Sequence, residues 1–246
     1  MIPSKNTALF VQECEKRNIS YILHTPYVLE VQTGEGFFCA DTRTPLQSSA
    51  LTHICKMKYI TKQILDEHHI PTAPWKVIWR DKIEFPSHLS GPLICKPVDK
   101  QKSRGLMKNV TDLEGVQKYF SKFPEEYRIL AEETLKGKEY RILLIERKVL
   151  GVIEKRKENG TKIKVDVTAQ MTREVEIFFE NIAHIFRADV LGIDIIMEDI
   201  SKVPQIKNHH GIVELNSAPG FHPKAFPEIA ERAAKAVFDL ILCRVR

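Results

Sequence analysis

The spacing of apolar residues predicts a chain that switches repeatedly between helical and extended segments. Residues 7–17 carry Ala8, Leu9, Val11 and Cys14 at helical spacing before Asn18. Residues 19–23 read as a short strand. Two more, at 28–32 and 37–40, flank a Thr33-Gly34-Glu35-Gly36 hairpin turn. A long helical region runs from 46 to 69, with Ser48 or Ser49 as its cap. It places Lys58, Lys62 and Leu65 at helical spacing and stops at His69-Ile70-Pro71. WKVIW at 75–79 and PLICKP at 92–97 are strands, and the second runs into a polar, basic loop at 98–105, VDKQKSRG.

Residues 111–120 predict a helix with a capping box from Thr111 to Glu114. Strands are expected at 129–135, at 139–146 and 148–155 about a tight turn at Arg147, and at 190–197 and 211–216. Residues 157–164, which contain Asn159-Gly160, read as a mobile loop. Helices are expected at 174–186, striped by Val175, Phe178, Phe179, Ile182 and Ile185, and at 227–242. Antiparallel hairpins mixed with single helices make the chain α+β rather than alternating β-α-β.

At 246 residues, the chain suits one sizeable domain or a few small lobes. Its 37 basic and 32 acidic residues are mixed along the sequence and leave a net charge of +5. That balance does not argue for nucleic acid, though it suits an anionic ligand such as a nucleotide. The five scattered cysteines form no C-x-x-C pair, which indicates neither a zinc site nor a disulfide framework and fits the reducing cytosol. The N-terminus lacks an apolar signal core, and no run reaches membrane-spanning length. No G-x-G-x-x-G is present.

The chemistry concentrates in two stretches. In GIVELNSAPG (211–220), Glu214 and Asn216 are two apart and share a strand face just before Pro219-Gly220 ends the strand. A carboxylate beside an amide oxygen is a hard-ligand pair of the kind Mg²⁺ prefers. In GIDIIMED (192–199), Asp194 stands among Ile193, Ile195, Ile196 and Met197, a costly position unless the carboxylate is paired or holds a metal. Further signals fall in a fixed order: Lys58 on a helix, Lys96 in a strand, Gly105 in the basic loop, Glu132-Glu133 at a strand end, then Glu139 and Arg141. A nucleoside triphosphate needs such groups, because lysines offset phosphate charge, loop N–H groups cover phosphates, a strand edge meets adenine and carboxylates carry the metal. Read singly, the same residues have plainer roles. Glu214-x-Asn216 alone is a solvated strand edge, Lys58 a solvated helix lysine, Glu132-Glu133 an exposed strand end and Arg141 a structural ion pair. The run Lys155-Arg156-Lys157 is either a solvated turn or a phosphate contact.

From about residue 5 to 240, the chain resembles the ATP-grasp superfamily of carboxylate–amine ligases. It is most like the ATP-grasp domain of cyanophycin synthetase and the glutathione-synthesising and RimK-like ligases. The likeness rests on RNISYILH, KMKYITKQILDEHHIPTAPW, ICKPVDKQKSRGL, EETLKGKEYRILLIERKVLGVIEKR, LGIDIIMED and GIVELNSAPGF, in that order. It implies an ATP-grasp fold with a small N-terminal lobe at 1–55. Two α+β subdomains, at 56–135 and 136–246, would clasp ATP, and the second would carry the metal site.

By matching position, the resemblance implies that Lys58 and Lys96 contact phosphates, with Ser103 and Gly105 in the phosphate loop. Glu132 and Leu135 would flank adenine, Glu133 would belong to the same nucleotide site, and Glu139 would hold ribose. Asp194, Glu214 and Asn216 would bind Mg²⁺, or Mn²⁺ in its place, and Arg141 would face the acyl phosphate or the substrate carboxylate. The implied activity is ADP-forming amide synthesis on amino-acid or small-peptide substrates; a small-molecule kinase and a non-catalytic nucleotide-binding module remain alternatives.

The chain departs from the family in three ways. DKQKS replaces most of the glycine of the phosphate loop, so Lys100, Lys102 and Arg104 would share its work. Gly192 stands where D-alanine ligases carry an arginine, which disfavours D-alanine as substrate. The large flanking domains of cyanophycin synthetase have no counterpart, which leaves a stand-alone ligase, a homodimer or a chain that borrows substrate contacts from a partner protein. The segments at 98–105 and 157–170 are the expected lids.

Overall fold

The computed structural model describes residues 1–99, 105–205 and 209–244. Helix α1 (Lys5–Lys16) starts where the Ser4 hydroxyl accepts from the Thr7 backbone N–H. It lies on an antiparallel sheet of β1 (Ser20–Thr25), β2 (Val28–Gln32) and β3 (Phe37–Ala40), with the expected turn between β2 and β3. This lobe does not close on itself. Phe10, Leu29, Val31 and Phe37 share a core with Ala233, Val237 and Phe238 of the C-terminal helix, Pro227–Arg244.

The single helix expected over 46–69 is two, α2 (Ser49–Lys56) and α3 (Lys58–Glu67), with Ser48 capping the first. The break is at Met57, whose ψ of 88° is not helical. It restarts the chain at Lys58, whose backbone N–H donates to Val98 O at 2.9 Å. That bond ties α3 to the end of the next sheet.

This sheet comprises β4 (Trp75–Trp79), β5 (Leu93–Pro97), β6 (Met107–Val110) and β7 (Arg128–Glu133), in the order β4-β7-β5-β6. Helix α4 (Leu113–Lys122) covers it, joining Val116, Tyr119 and Phe120 to Ile78, Leu93, Cys95 and Ile129. Two expectations fail here. The helix starts later than expected, so Asp112 is its cap and accepts from Gly115 N at 2.8 Å; there is no Thr111–Glu114 box. Strand β6 (MKNV) is too polar to announce itself, and backbone pairing with β5 makes it a strand.

The largest sheet runs β10-β9-β8-β11-β12: β8 (Lys138–Ile145), β9 (Lys148–Glu158), β10 (Thr161–Asp166), β11 (Val190–Met197) and β12 (Gly211–Asn216). Glu146 and Arg147 both take positive φ in the two-residue turn from β8 to β9. Residues 157–164 are not a loop. Asn159-Gly160, also at positive φ, makes a second tight hairpin with Thr161 opposite Glu158. An Asn-Gly pair is a strong hairpin signal, and a polar edge strand needs no apolar run to pair. After a 3₁₀ turn at Thr168–Gln170 comes α5 (Arg173–Ile185), and the C-terminal helix is α6 (Pro227–Arg244).

Alternation sorts this sheet into a packed face and a chemical one. Tyr140, Ile142 and Leu144 of β8, Ile193 and Ile195 of β11 and Leu215 of β12 form a core with Val175, Phe179 and Ile182 of α5. Glu139, Arg141, Lys155, Asp194 and Glu214 therefore fall on the opposite side. The segment leading into β4 is tied to β12 of the largest sheet. Ile212 N donates to Pro71 O and Thr72 Oγ1 donates to Ile212 O, each at 2.8 Å. The chains are so close that a Cβ on Gly211 would lie 2.8 Å from Thr72 Cα. No described helix is long and apolar enough to cross a membrane.

Candidate active site

Register brings three predicted residues together. Asp194 of β11 lies opposite Arg141 of β8 on one side and Glu214 of β12 on the other. Arg141 grips the carboxylate with both arms, Nε to Oδ1 at 2.6 Å and Nη2 to Oδ2 at 2.5 Å. Lys155 Nζ adds a contact to Oδ1 at 2.9 Å and also pairs with Glu139. Burial raises the Asp194 pKa, but Arg141 and Lys155 outweigh it and hold the carboxyl below its ordinary value. Asn216 lies two residues beyond Glu214 on β12, with Oδ1 accepting from Ala218 N at 3.0 Å. Opposite it is Gly192, where a Cβ would meet Pro219 Cβ at 2.7 Å, so no arginine fits there. Among the described residues no three His, Cys, Asp or Glu side chains gather into a metal cluster; this set is two carboxylates and an amide.

Across the contact between the sheets lies a buried knot of charge. Lys96, the strand lysine expected to contact phosphates, is paired with Glu132. Lys62 reaches the other Glu132 oxygen at 3.1 Å and donates to Thr72 Oγ1 at 2.8 Å and Ala73 O at 3.2 Å. Lys62, Lys96 and Glu132 are 2%, 7% and 4% exposed, so one carboxylate serves two interior ammoniums. Burial pushes Glu132 up, and the two lysines pull it below its ordinary value. Lys58 is also buried. Burial lowers its pKa and Lys96 lowers it further, while Glu214, Asp99 and Glu132 act in the opposite sense. A small cavity lined by Lys58, Lys62 and Glu214 joins this knot to β12.

The remaining predicted residues divide. Glu133 is buried at the end of β7, its Oε1 accepting from Ser90 N at 2.6 Å. Leu135 is half-buried just past β7, and Glu139 is exposed and held by Lys155. Gly105 takes φ 72° and packs on Pro97, and its carbonyl accepts from the Tyr119 hydroxyl at 2.6 Å. Ser103, with Lys100, Lys102 and Arg104, lies outside the described residues, and so does most of the expected lid at 98–105. The expected lid at 157–170 is mainly hairpin and 3₁₀ turn.

Sequence reasoning passed over Lys62, which the structure makes the most buried of the site cations. Its signal was present: it stands four residues after Lys58, on the same helix face. It also left Lys155 undecided between turn and contact. Lys155 is a strand residue in the centre of the chemical face.

No family model matches the chain. A curated relative, the cyanophycin synthetase of Crocosphaera subtropica, is 23% identical over 96% of this chain and 36% of its own length. The chain thus spans about a third of the curated relatives it matches. Among solved structures, the bifunctional glutathione synthetase of Pasteurella multocida superposes with a TM-score of 0.68 at 13% identity, over 96% of this chain and 43% of that one. The ATP-grasp ligase PsnB, solved with a minimal precursor, superposes with a TM-score of 0.60 at 15% identity, over 79% and 63% of the two chains. The chain has the ATP-grasp fold.

Proposed function

We propose that this ATP-grasp protein is an ADP-forming carboxylate–amine ligase acting on amino-acid or small-peptide substrates. The observation that carries the reading is the row Arg141–Asp194–Glu214 across three strands, next to the buried lysines Lys58, Lys62 and Lys96. Cations on one side and hard oxygen donors on the other are what triphosphate chemistry requires. In the proposed reaction, an oxygen of the substrate carboxylate bonds to the γ-phosphorus and the bond to ADP breaks. The amine nitrogen then bonds to the acyl carbon, phosphate leaves and the nitrogen loses a proton.

The donor set fits Mg²⁺, or Mn²⁺ in its place. Asp194, Glu214 and Asn216 offer only oxygen, and the low pKa of Asp194 keeps it anionic. Bound there, the metal would offset charge on the transferring phosphoryl group. Lys58 and Lys96 would neutralise phosphates as point charges, and Glu132 keeps Lys96 aimed from inside the fold. Arg141, planar and always charged, would orient the carboxylate or the acyl phosphate once it shares Asp194 with the metal. Ser103, Gly105, Glu133, Leu135 and Glu139 complete the proposed nucleotide set.

The proposed division is 1–55, 56–135 and 136–246. The separate core beneath β4–β7 supports the middle unit. Four buried free thiols, Cys14, Cys39, Cys55 and Cys95, support a cytoplasmic location. A homodimer or a partner protein would supply further substrate contacts, and specific activity that rises with chain concentration would mark the homodimer.

The test is ADP release with Mg²⁺ and ATP over amino acids and dipeptides, singly and in pairs. Dependence on both an acid and an amine is expected. ADP release with the acid alone and a stable phosphorylated product would make the protein a kinase. Nucleotide binding without turnover would make it a module.

A further inference from the structure

The chemical face of the large sheet continues past Lys155 into a hollow that no role above uses. Lys5, Asn6, Lys164, His222 and Lys224 line it, together with Gly220, and none of its lining groups is a carboxylate. Lys164 of β10 lies directly opposite Lys155, whose ammonium touches Asp194, so the hollow is one strand away from the proposed reaction centre. Lys164 Nζ is 3.1 Å from His222 Nδ1. Lys224 lies near Lys5 and pushes the Lys5 ammonium below its ordinary pKa. Asn6 fixes one wall, its Oδ1 accepting from Phe221 N at 3.3 Å and its Nδ2 donating to Asp41 at 3.3 Å.

Like charges gathered around a concave surface raise the energy of the empty site, and a bound anion lowers it. Burial lowers the Lys164 pKa, and Lys155 and Arg141 lower it further. His222 is pushed down to about 4, first by burial and then by Lys164, Arg141 and Lys155, so it meets a ligand as a neutral imidazole. The carboxylates flanking the hollow are already engaged: Asp194 by Arg141 and Lys155, Glu139 by Lys155, and Asp41, behind the Asn6 wall, by the Ser4 hydroxyl and the Asn6 amide.

We infer that the hollow binds a second anionic group on the acid substrate. This rests on the ligase reading above and narrows it. The substrate would be an acid that carries, besides the carboxylate to be activated, another carboxylate or a phosphate. Lys164 and Lys224 would hold that group, with His222 as a hydrogen-bond partner, while the reacting carboxylate lies toward Arg141.

Isothermal titration in the presence of Mg²⁺ and a non-hydrolysable ATP analogue tests this directly. The probes are two pairs that differ by one anionic group, L-glutamate against L-glutamine and O-phospho-L-serine against L-serine. Tighter binding of the charged member by about tenfold is expected in at least one pair, the worth of one good charge-assisted contact. The pair that responds tells carboxylate from phosphate. In Lys164→Gln/Lys224→Gln the preference should collapse, with the affinity for the ATP analogue unchanged. Equal binding within both pairs, no binding of any probe, or a preference that survives the double substitution overturns the inference. ADP release measured with the same acids separates the two readings. A charge preference in binding without ADP release from any acid–amine pair would sink the ligase and leave an anion site. ADP release without charge preference would sink the anion site alone.

Discussion

Glu132 is the residue whose loss should cost most. It is the carboxylate that Lys62 and Lys96 share, and both lysines are interior. Glu132→Ala leaves two buried ammoniums facing each other, and breaking a buried pair in this way costs about 3–5 kcal/mol. Urea unfolding measures it; a loss below about 1 kcal/mol would show that another group neutralises the lysines. Glu214→Ala should behave oppositely, abolishing ADP release while the unfolding midpoint stays near wild type. Unchanged turnover in that variant removes the metal assignment. His222 adds a pH dependence. Its pKa is 6.5 ordinarily and about 4 in the fold, so as pH falls through that window the unfolded chain takes up a proton that the folded chain refuses. Stability from this group is complete above pH 6.5 and is lost toward pH 4. The urea midpoint of His222→Asn should therefore drop less between pH 7.5 and 4.5 than that of wild type.

At the scale of elements, the contact of β12 with the segment before β4 decides whether the lysine knot and the Asp194 row stay in register. Gly211 makes that contact possible. Gly211→Ala drives a methyl into the Thr72 backbone, and overpacking of this kind costs about 1–3 kcal/mol. Because Thr72 also holds Lys62, the variant should lose ATP affinity as well as stability. A variant with altered stability and wild-type ATP affinity would show that the two sheets are positioned elsewhere. By contrast, Gly160→Ala meets nothing within 4 Å, and its cost should come only from the positive φ of 79°.

For the whole molecule, binding of ATP and Mg²⁺ between the two sheets should appear as global stabilisation. A ligand at a hundred times its Kd adds about 2.7 kcal/mol to the stability of the state that binds it. Wild type should therefore gain thermal stability with ATP and Mg²⁺ together, and less with ATP and a chelator. Asp194→Asn should respond nearly alike to both. An equal gain for wild type with and without metal would argue against the carboxylate pair as a metal site.

Much of this was determined locally, and so was legible in the sequence. Strands β11 and β12 have the expected bounds because alternating and continuous apolar runs report burial directly, and Glu214 and Asn216 share a face because strand geometry leaves no alternative. The turn between β2 and β3 and the stop of α3 before Pro71 are likewise local matters of glycine and proline. Other features depend on residues far apart in the chain. The break at Met57 follows from a backbone bond to Val98. Strand β6 exists because β5 offers it an edge. The partners of Lys96 and Asp194 are charges on other elements, and no spacing rule links Lys62 to Glu132 or Arg141 to Asp194. Sequence determined which residues needed a counter-charge, because an isolated charge in an apolar strand is unfavourable. Only the tertiary structure decided which charge would meet it, because that depends on which strands pair, as β8 with β11, and on where α3 docks against β7.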